Sequence, residues 1–216
     1  MFFKKVYRML LEYFGPQGWW HADSKFEICA GIILVQRTTW KNAAKAIENL
    51  KKKRLLQVEK IAEISLEKLE NALRPAGFYR QKARYLKAFS QYCLGKYEGD
   101  LEGWFVKPPK ELREEFLRLK GIGEETADSI LLYAAEKPVF VVDAYTKRIL
   151  ERMGVVNEKT ELSGIKKMIE EEITPDLKTY KELRAFFVEL GKKFCKTKPE
   201  CGNCPLESAC RKYVQG

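Results

Sequence analysis

No stretch of this 216-residue chain is apolar enough to cross a bilayer: its strongest apolar run, Ile28 to Gln36, has nine residues against the roughly 18–20 that a spanning helix needs. The opening MFFKKVYRML carries lysines but no apolar core of roughly 7–15 residues leading to a small-residue cleavage site, so no secretory signal is expected. The expected location is the cytoplasm, associated with the nucleoid if the cell is prokaryotic. There is no repeat with a period of roughly 20–50 residues and no low-complexity tract, which excludes solenoids and arrays. Strand signal is nearly missing as well. Pro138 to Val142 is the one β-like run, and it is too short to found a sheet, so it reads as an extended joint between two helices.

What is present is a large apolar fraction, 45%, enough for one large domain or two lobes without covalent staples. Forty Lys and Arg against thirty Asp and Glu leave a net charge of +10, which favours a polyanionic partner such as nucleic acid, although ordinary basic proteins share this balance. The cationic run Lys51 to Arg54 closes an apolar-periodic segment and reads as a helix end with its charges at the favourable terminus.

Apolar residues recur at helical spacing through Val6 to Phe14, Phe26 to Val35, Ala43 to Leu50, Tyr85 to Leu94, Leu112 to Leu119, Ala127 to Ala135, Ala144 to Met153 and Leu183 to Phe194. The fold class is therefore all-α. Pro and Gly breaks at Gly15 to Gly18, Arg74 to Gly77 and Val106 to Pro109 mark loops between helices rather than domain linkers.

Four of the six cysteines fall within sixteen residues: Cys195, Cys201, Cys204 and Cys210, spaced C-x5-C-x2-C-x5-C. Cys29 and Cys93 stand alone in apolar helical contexts and read as buried thiols. In a reducing compartment a thiol cluster is a metal site before it is a disulfide set. Zinc sites usually pair two C-x-x-C knuckles. One C-x-x-C with wide arms on both sides favours a [4Fe-4S] cluster, with zinc as the alternative. Lys192, Lys193, Lys196, Lys198, Arg211 and Lys212 surround the array, either to meet a phosphate backbone or to neutralise the thiolates.

Between two helical segments lies Leu119-Lys120-Gly121-Ile122-Gly123-Glu124-Glu125-Thr126-Ala127. Two glycines around one apolar residue let the chain turn with its amides exposed at the start of a new helix, where they can hold a phosphate without reading sequence. The same glycines also suit a tight αα-hairpin with only a packing role.

Three elements in order, L-K-G-I-G-E-E-T-A-D at 119–128, V-V-D-A-Y-T-K-R at 141–148 and the terminal cysteines, make the chain resemble the helix-hairpin-helix DNA glycosylases of the endonuclease III superfamily from about residue 19 to 210. The resemblance implies a two-lobed all-α fold, with a helical barrel over 25–131 that contains the hairpin. Residues 1–24 and 132–216 would form the second lobe, carrying the [4Fe-4S] loop, with a DNA-binding cleft between the two. It also implies that Asp143 is the catalytic aspartate, a fixed carboxylate suited to the positive charge that builds on the sugar as an N-glycosidic bond breaks. Asp143 also precedes a helix and suits its N-cap, a role compatible with catalysis.

Bifunctional members place a lysine two residues after the second hairpin glycine and form a Schiff base through it. Glu125 stands there, and a carboxylate cannot form that imine, so the chain is expected to be monofunctional. Lys120, Gly121, Ile122, Gly123 and Thr126 would form the DNA-binding hairpin.

Among monofunctional branches the G-I-G-x-E-[ST]-A-D and V-V-D-x-Y-[ST] cores are most similar to the endonuclease III-type 3-methyladenine glycosylases, which implies double-stranded DNA bearing an alkylated purine as the partner of a monomeric enzyme. Trp19, Trp20 and Trp40 match that branch's aromatic base pocket, where a cationic base gains cation–π attraction, though each tryptophan also suits a core wedge. Gln36 and Phe78 match positions that fill the hole left by an extruded base or wedge the opposite strand, and burial in the loop suits Phe78 equally. The branch can lack the cluster, and its lysine near the C-terminal helix is matched loosely by Lys192 or Lys193. The alternatives are an endonuclease III-like enzyme for oxidised or mismatched pyrimidines, a non-catalytic iron–sulfur DNA-binding protein, and an electron carrier. The last would need the cysteines at the centre of a small protein, and here they are an appendage.

Overall fold

The computed structural model describes residues 1–18 and 22–210, and these contain twelve α-helices, two short 3-10 turns and no strand. Among them no helix is long and apolar enough to cross a membrane. The chain divides into two compact units, one formed by Trp20–Lys137 and the other by Met1–Trp19 with Pro138–Gly216.

The first unit is built around α2 (Lys25–Leu34), whose residues Phe26, Cys29, Ala30, Gly31, Ile32, Ile33 and Leu34 are all buried. A helix apolar on every side has to be enclosed by others, and α2 packs against α3 (Trp40–Lys52), α6 (Tyr79–Tyr97) and α9 (Glu124–Tyr133). Its start is set by Ser24, whose hydroxyl accepts from the Glu27 amide, while the Glu27 carboxylate accepts from the Asp23 amide, a close relative of the capping box. Short helices α4 (Val58–Glu63) and α5 (Leu66–Leu73) lie on α6, and α7 (Leu101–Phe105) and α8 (Pro109–Leu117) complete the unit.

Lys51 and Lys52 occupy the last turn of α3, as their sequence position implies, and Lys51 pairs there with Asp23 and Glu27. Both isolated thiols, Cys29 and Cys93, are buried, and loss of solvation pushes them up, Cys93 to about 12.

In the second unit α12 (Leu177–Lys193) packs against α1 (Phe2–Phe14) and α10 (Ala144–Arg152), and α11 (Leu162–Glu172) lies on α1. Gly191 makes the α10 contact possible: a Cβ there would stand 2.3 Å from the Tyr145 ring. Residues 136–143 are extended without pairing, a joint rather than a strand. They end at Asp143, the N-cap of α10.

Candidate functional site

The turn between α8 and α9 is a helical hairpin held from three directions. Gly121 has φ +87°, open to glycine at little strain, and its backbone lies so close to Tyr85 that a Cβ would fall 2.2 Å from the ring. Ile122 is buried beneath the turn. The Gln36 amide nitrogen donates to Gly121 O at 3.0 Å and to Thr126 Oγ1 at 2.9 Å. Arg113 Nε donates at 2.8 Å to Oδ1 of Asp128, a buried carboxylate on α9, and so ties the two helices together. Gly123 caps α9 without a side chain, and Lys120, Gly123, Glu124 and Glu125 are exposed around the helix start. Thr126 does not point outward; its hydroxyl serves Gln36.

The two loops beside the hairpin carry Arg37 and Phe78. Phe78 is 57% exposed rather than buried in its loop. Its ring lies 5.2 Å from the Arg37 guanidinium carbon. Trp40 opens α3 and is 49% exposed, with Thr39 as its N-cap. Trp19 and Trp20 lie outside the described residues.

Asp143 is 5% exposed, and its two carboxylate oxygens have different neighbours. Oδ1 accepts from the Thr146 amide at 2.9 Å and hydroxyl at 3.1 Å, which caps α10. Oδ2 faces Arg184 of α12, with 3.6 Å to Nε. Capping therefore uses one oxygen and leaves the other in a cationic environment. Lys192 and Lys193 lie near the end of α12 with Glu189 at 3.6 Å and 3.4 Å, and Lys193 sits over the Phe14 ring.

Cys195, Cys201, Cys204 and Cys210 line one cavity together with Arg152, Phe194, Pro199, Glu200 and Glu207. Burial and the neighbouring thiols push the Cys204 thiol up to about 11. Arg152 Nη1 donates to Cys195 Sγ at 3.2 Å, and Arg148 Nε donates to the Cys195 carbonyl at 2.9 Å. Both arginines belong to α10, the helix that Asp143 caps. Among the described residues no set of three or more His, Cys, Asp or Glu side chains is arranged to hold a metal ion. The donor chemistry nonetheless fits an iron–sulfur cluster: four soft thiols around one cavity, with a guanidinium to offset thiolate charge.

Arg37, Arg148, Arg152 and Arg184 were not indicated by sequence. The i, i+4 spacing of Arg148 and Arg152 put them on one helix face, but nothing in the sequence pairs that face with Cys195, or Arg184 with Asp143.

An all-helical body with a braced glycine hairpin, an aspartate at the next helix start and a terminal cysteine array defines a helix-hairpin-helix DNA repair protein of the endonuclease III type. Residues 30–175 match the HhH-GPD superfamily of base excision DNA repair proteins, and the chain belongs to that family. It is 46% identical over 209 residues to a Methanocaldococcus jannaschii protein named "Putative DNA repair glycosylase MJ1434", covering 95% of this chain and 94% of that one. It is 31% identical over 197 residues to endonuclease III of Thermotoga maritima, covering 87% of this chain and 83% of the relative.

Among solved structures, an H. pylori 3-methyladenine DNA glycosylase bound to 1,N6-ethenoadenine superposes with a TM-score of 0.77 at 30% identity, covering 88% of this chain and 96% of the other. A non-covalent endonuclease III–DNA complex shares the fold with a TM-score of 0.83 at 22% identity, covering 99% and 95%. The chain is thus similar to DNA glycosylases over nearly its full length, and its class of activity is base excision.

Proposed function

We propose that this protein is a monofunctional glycosylase that extrudes an alkylated purine from double-stranded DNA and hydrolyses its N-glycosidic bond, acting as a monomer. The reading rests on one observation above all: a buried Asp143 carboxylate is combined with a second carboxylate, Glu125, at the hairpin position where a lyase needs an amine. As the C1′–N bond breaks, its electron pair leaves with the base, so a base alkylated to a cation departs neutral and needs no acid. Positive charge builds on the sugar and falls to Asp143 to stabilise. Water then adds at C1′ and gives up its proton, leaving an intact strand with an abasic site.

The hairpin amides and Lys120 would hold phosphate, and Trp40 with Trp19 and Trp20 would supply aromatic faces for the extruded base. Cys195, Cys201, Cys204 and Cys210 would hold a [4Fe-4S] cluster, which when bound cross-links the segment after α12 through four thiolates. Arg148 and Arg152 tie that segment to α10. Support for the alkylated-purine substrate comes from the 30% identity to the H. pylori 3-methyladenine glycosylase.

The deciding experiment incubates the purified protein with duplexes carrying 3-methyladenine, 7-methylguanine, uracil, thymine glycol or 8-oxoguanine, scored for strand breaks with and without alkali. Release of the methylated purines, with breaks only after alkali, is expected. A preference for a neutral pyrimidine would replace this reading with that of an endonuclease III-like enzyme, and no release from any duplex would make the protein a DNA binder.

A further inference from the structure

Five non-glycine residues among those described have positive φ: Arg37, Arg54, Phe78, Glu98 and Glu136. Four of them follow helix C-termini, where the left-handed conformation is common. Phe78 is different. It opens α6 at φ 47°, ψ 30°, a genuine outlier for a bulky aromatic residue. The preceding Gly77 also has positive φ, at 63°.

The surroundings keep this loop from relaxing. The Phe78 carbonyl accepts from the amides of Gln81 and Lys82 at 3.1 Å. The buried Lys82 ammonium holds the Ala76 carbonyl at 2.7 Å. A strained backbone thus presents an apolar ring to water, and its contact with the guanidinium of Arg37 leaves the ring 57% exposed. Arg37 is itself exposed and left-handed at φ 54°, one residue after the Gln36 that braces the hairpin. Strain that the surrounding structure maintains, on an exposed pair, is the mark of a preorganised contact element.

An enzyme that extrudes one nucleotide leaves its partner base unpaired and unstacked. A phenyl ring can restore stacking, but it carries no donor for the orphaned base edge. A guanidinium carries only donors, in a planar fork. Cytosine alone offers two adjacent acceptors, N3 and O2, on its pairing edge. Thymine places N3–H between its carbonyls, adenine sets its amino group beside N1, and guanine has O6 with two donor groups. We infer that Arg37, held against Phe78, reads the base opposite the extruded nucleotide and selects cytosine, with Phe78 supplying sequence-independent stacking. This assignment rests on the extrusion reading above and adds to it the identity of the opposite-base reader.

The test measures binding by fluorescence anisotropy to duplexes that carry a tetrahydrofuran abasic-site analogue opposite C, T, G or A, so that no base release is involved. The wild-type protein should bind the analogue opposite C about tenfold tighter than the mean of the other three, the scale of one good bidentate contact. Arg37→Lys should keep the mean affinity and lose the ranking. Phe78→Ala should weaken all four to a similar degree. Arg37→Gly should flatten the ranking while its thermal midpoint stays at or above wild type, because glycine relieves the left-handed backbone, and this separates lost recognition from lost folding.

A wild-type protein indifferent to the opposite base, or a ranking that survives Arg37→Lys, would overturn the assignment. So would Arg37→Gly weakening all four duplexes equally with the ranking kept, the result of a phosphate contact alone. Failure of the underlying reading looks different: wild-type protein would bind analogue and intact duplex equally and release no base.

Discussion

Arg184 holds its Nε 3.6 Å from Oδ2 of Asp143, while Oδ1 of the same carboxylate caps α10 through Thr146. A guanidinium this close fixes the direction of Oδ2 but also offsets part of the negative charge that an electron-poor sugar would feel. The arrangement favours substrates whose bond is already weakened over those that need the full field of the carboxylate. It also separates the two roles of Asp143 by atom, which makes them separable by mutation.

Asp143→Asn should retain the cap, because an asparagine side-chain oxygen accepts from the same amide about as well. The variant should therefore fold with a thermal midpoint close to wild type and bind duplex DNA normally. Base release should fall by at least about 100-fold, since the carboxylate is asked for several kcal/mol of charge stabilisation. Single-turnover rates beside an unchanged melting curve check this, and near-wild-type turnover would reduce Asp143 to a helix cap.

A second carboxylate governs stability rather than chemistry. Glu115 is buried among Trp104 Nε1 at 2.8 Å, Tyr97 OH at 2.7 Å, Lys107 Nζ at 2.7 Å and Lys96 Nζ at 2.9 Å. Burial alone would push it up, but these four donors outweigh burial and hold it at about 2, below its ordinary 4.5. A depressed folded-state value means that the contribution is complete above pH 4.5 and is lost as pH falls toward about 2. Glu115→Gln should cost about 2–4 kcal/mol at neutral pH. Urea titrations at several pH values should show the gap between the two proteins narrowing only on the acid side of 4.5.

The sequence made the helical skeleton legible because most of its helices bury a single stripe. All eight periodic segments fall on helices to within one or two residues. The unread helices have physical reasons for silence. α4 and α7, with six and five residues, are too short for a repeat, α5 has barely two turns, and α11 buries only Ile165 and Ile169 on a charged background. The hairpin, Asp143 and the cysteines were legible because each is local in sequence. Contacts that join distant positions were not: the Gln36 brace on Thr126 spans 90 residues, and Arg152 reaches Cys195 across 43. The exposure of Phe78 had no sequence signal either, since an aromatic residue after Ala-Gly suits burial equally well.

The cysteine cavity predicts a composition. Protein purified without oxygen should be brown and carry about four irons per chain, with sulfide in equal amount. Cys204→Ser should lose the colour and the iron. Arg152→Ala, which removes the donor to Cys195 Sγ, should bind the same iron but release it faster to a chelator. One zinc and no iron on elemental analysis would replace the cluster with a structural zinc site.

The most direct test of mechanism concerns Glu125, exposed in the first turn of α9 at the position where a lyase presents its amine. Cleavage by β-elimination requires a nitrogen nucleophile that forms an imine with C1′, and borohydride reduces that imine to a permanent protein–DNA bond. With a carboxylate in place no such bond can form there. Wild-type protein should therefore yield abasic strands that break only in alkali, with no trapped adduct on a denaturing gel. Glu125→Lys restores an amine and should produce a faint, borohydride-dependent adduct, weaker than that of a true lyase because the amine lacks a tuned environment. Strong trapping by the unaltered chain would identify another lysine as nucleophile. Lys120, exposed just before the hairpin glycine, is the first to examine, and Lys120→Ala would then abolish the adduct.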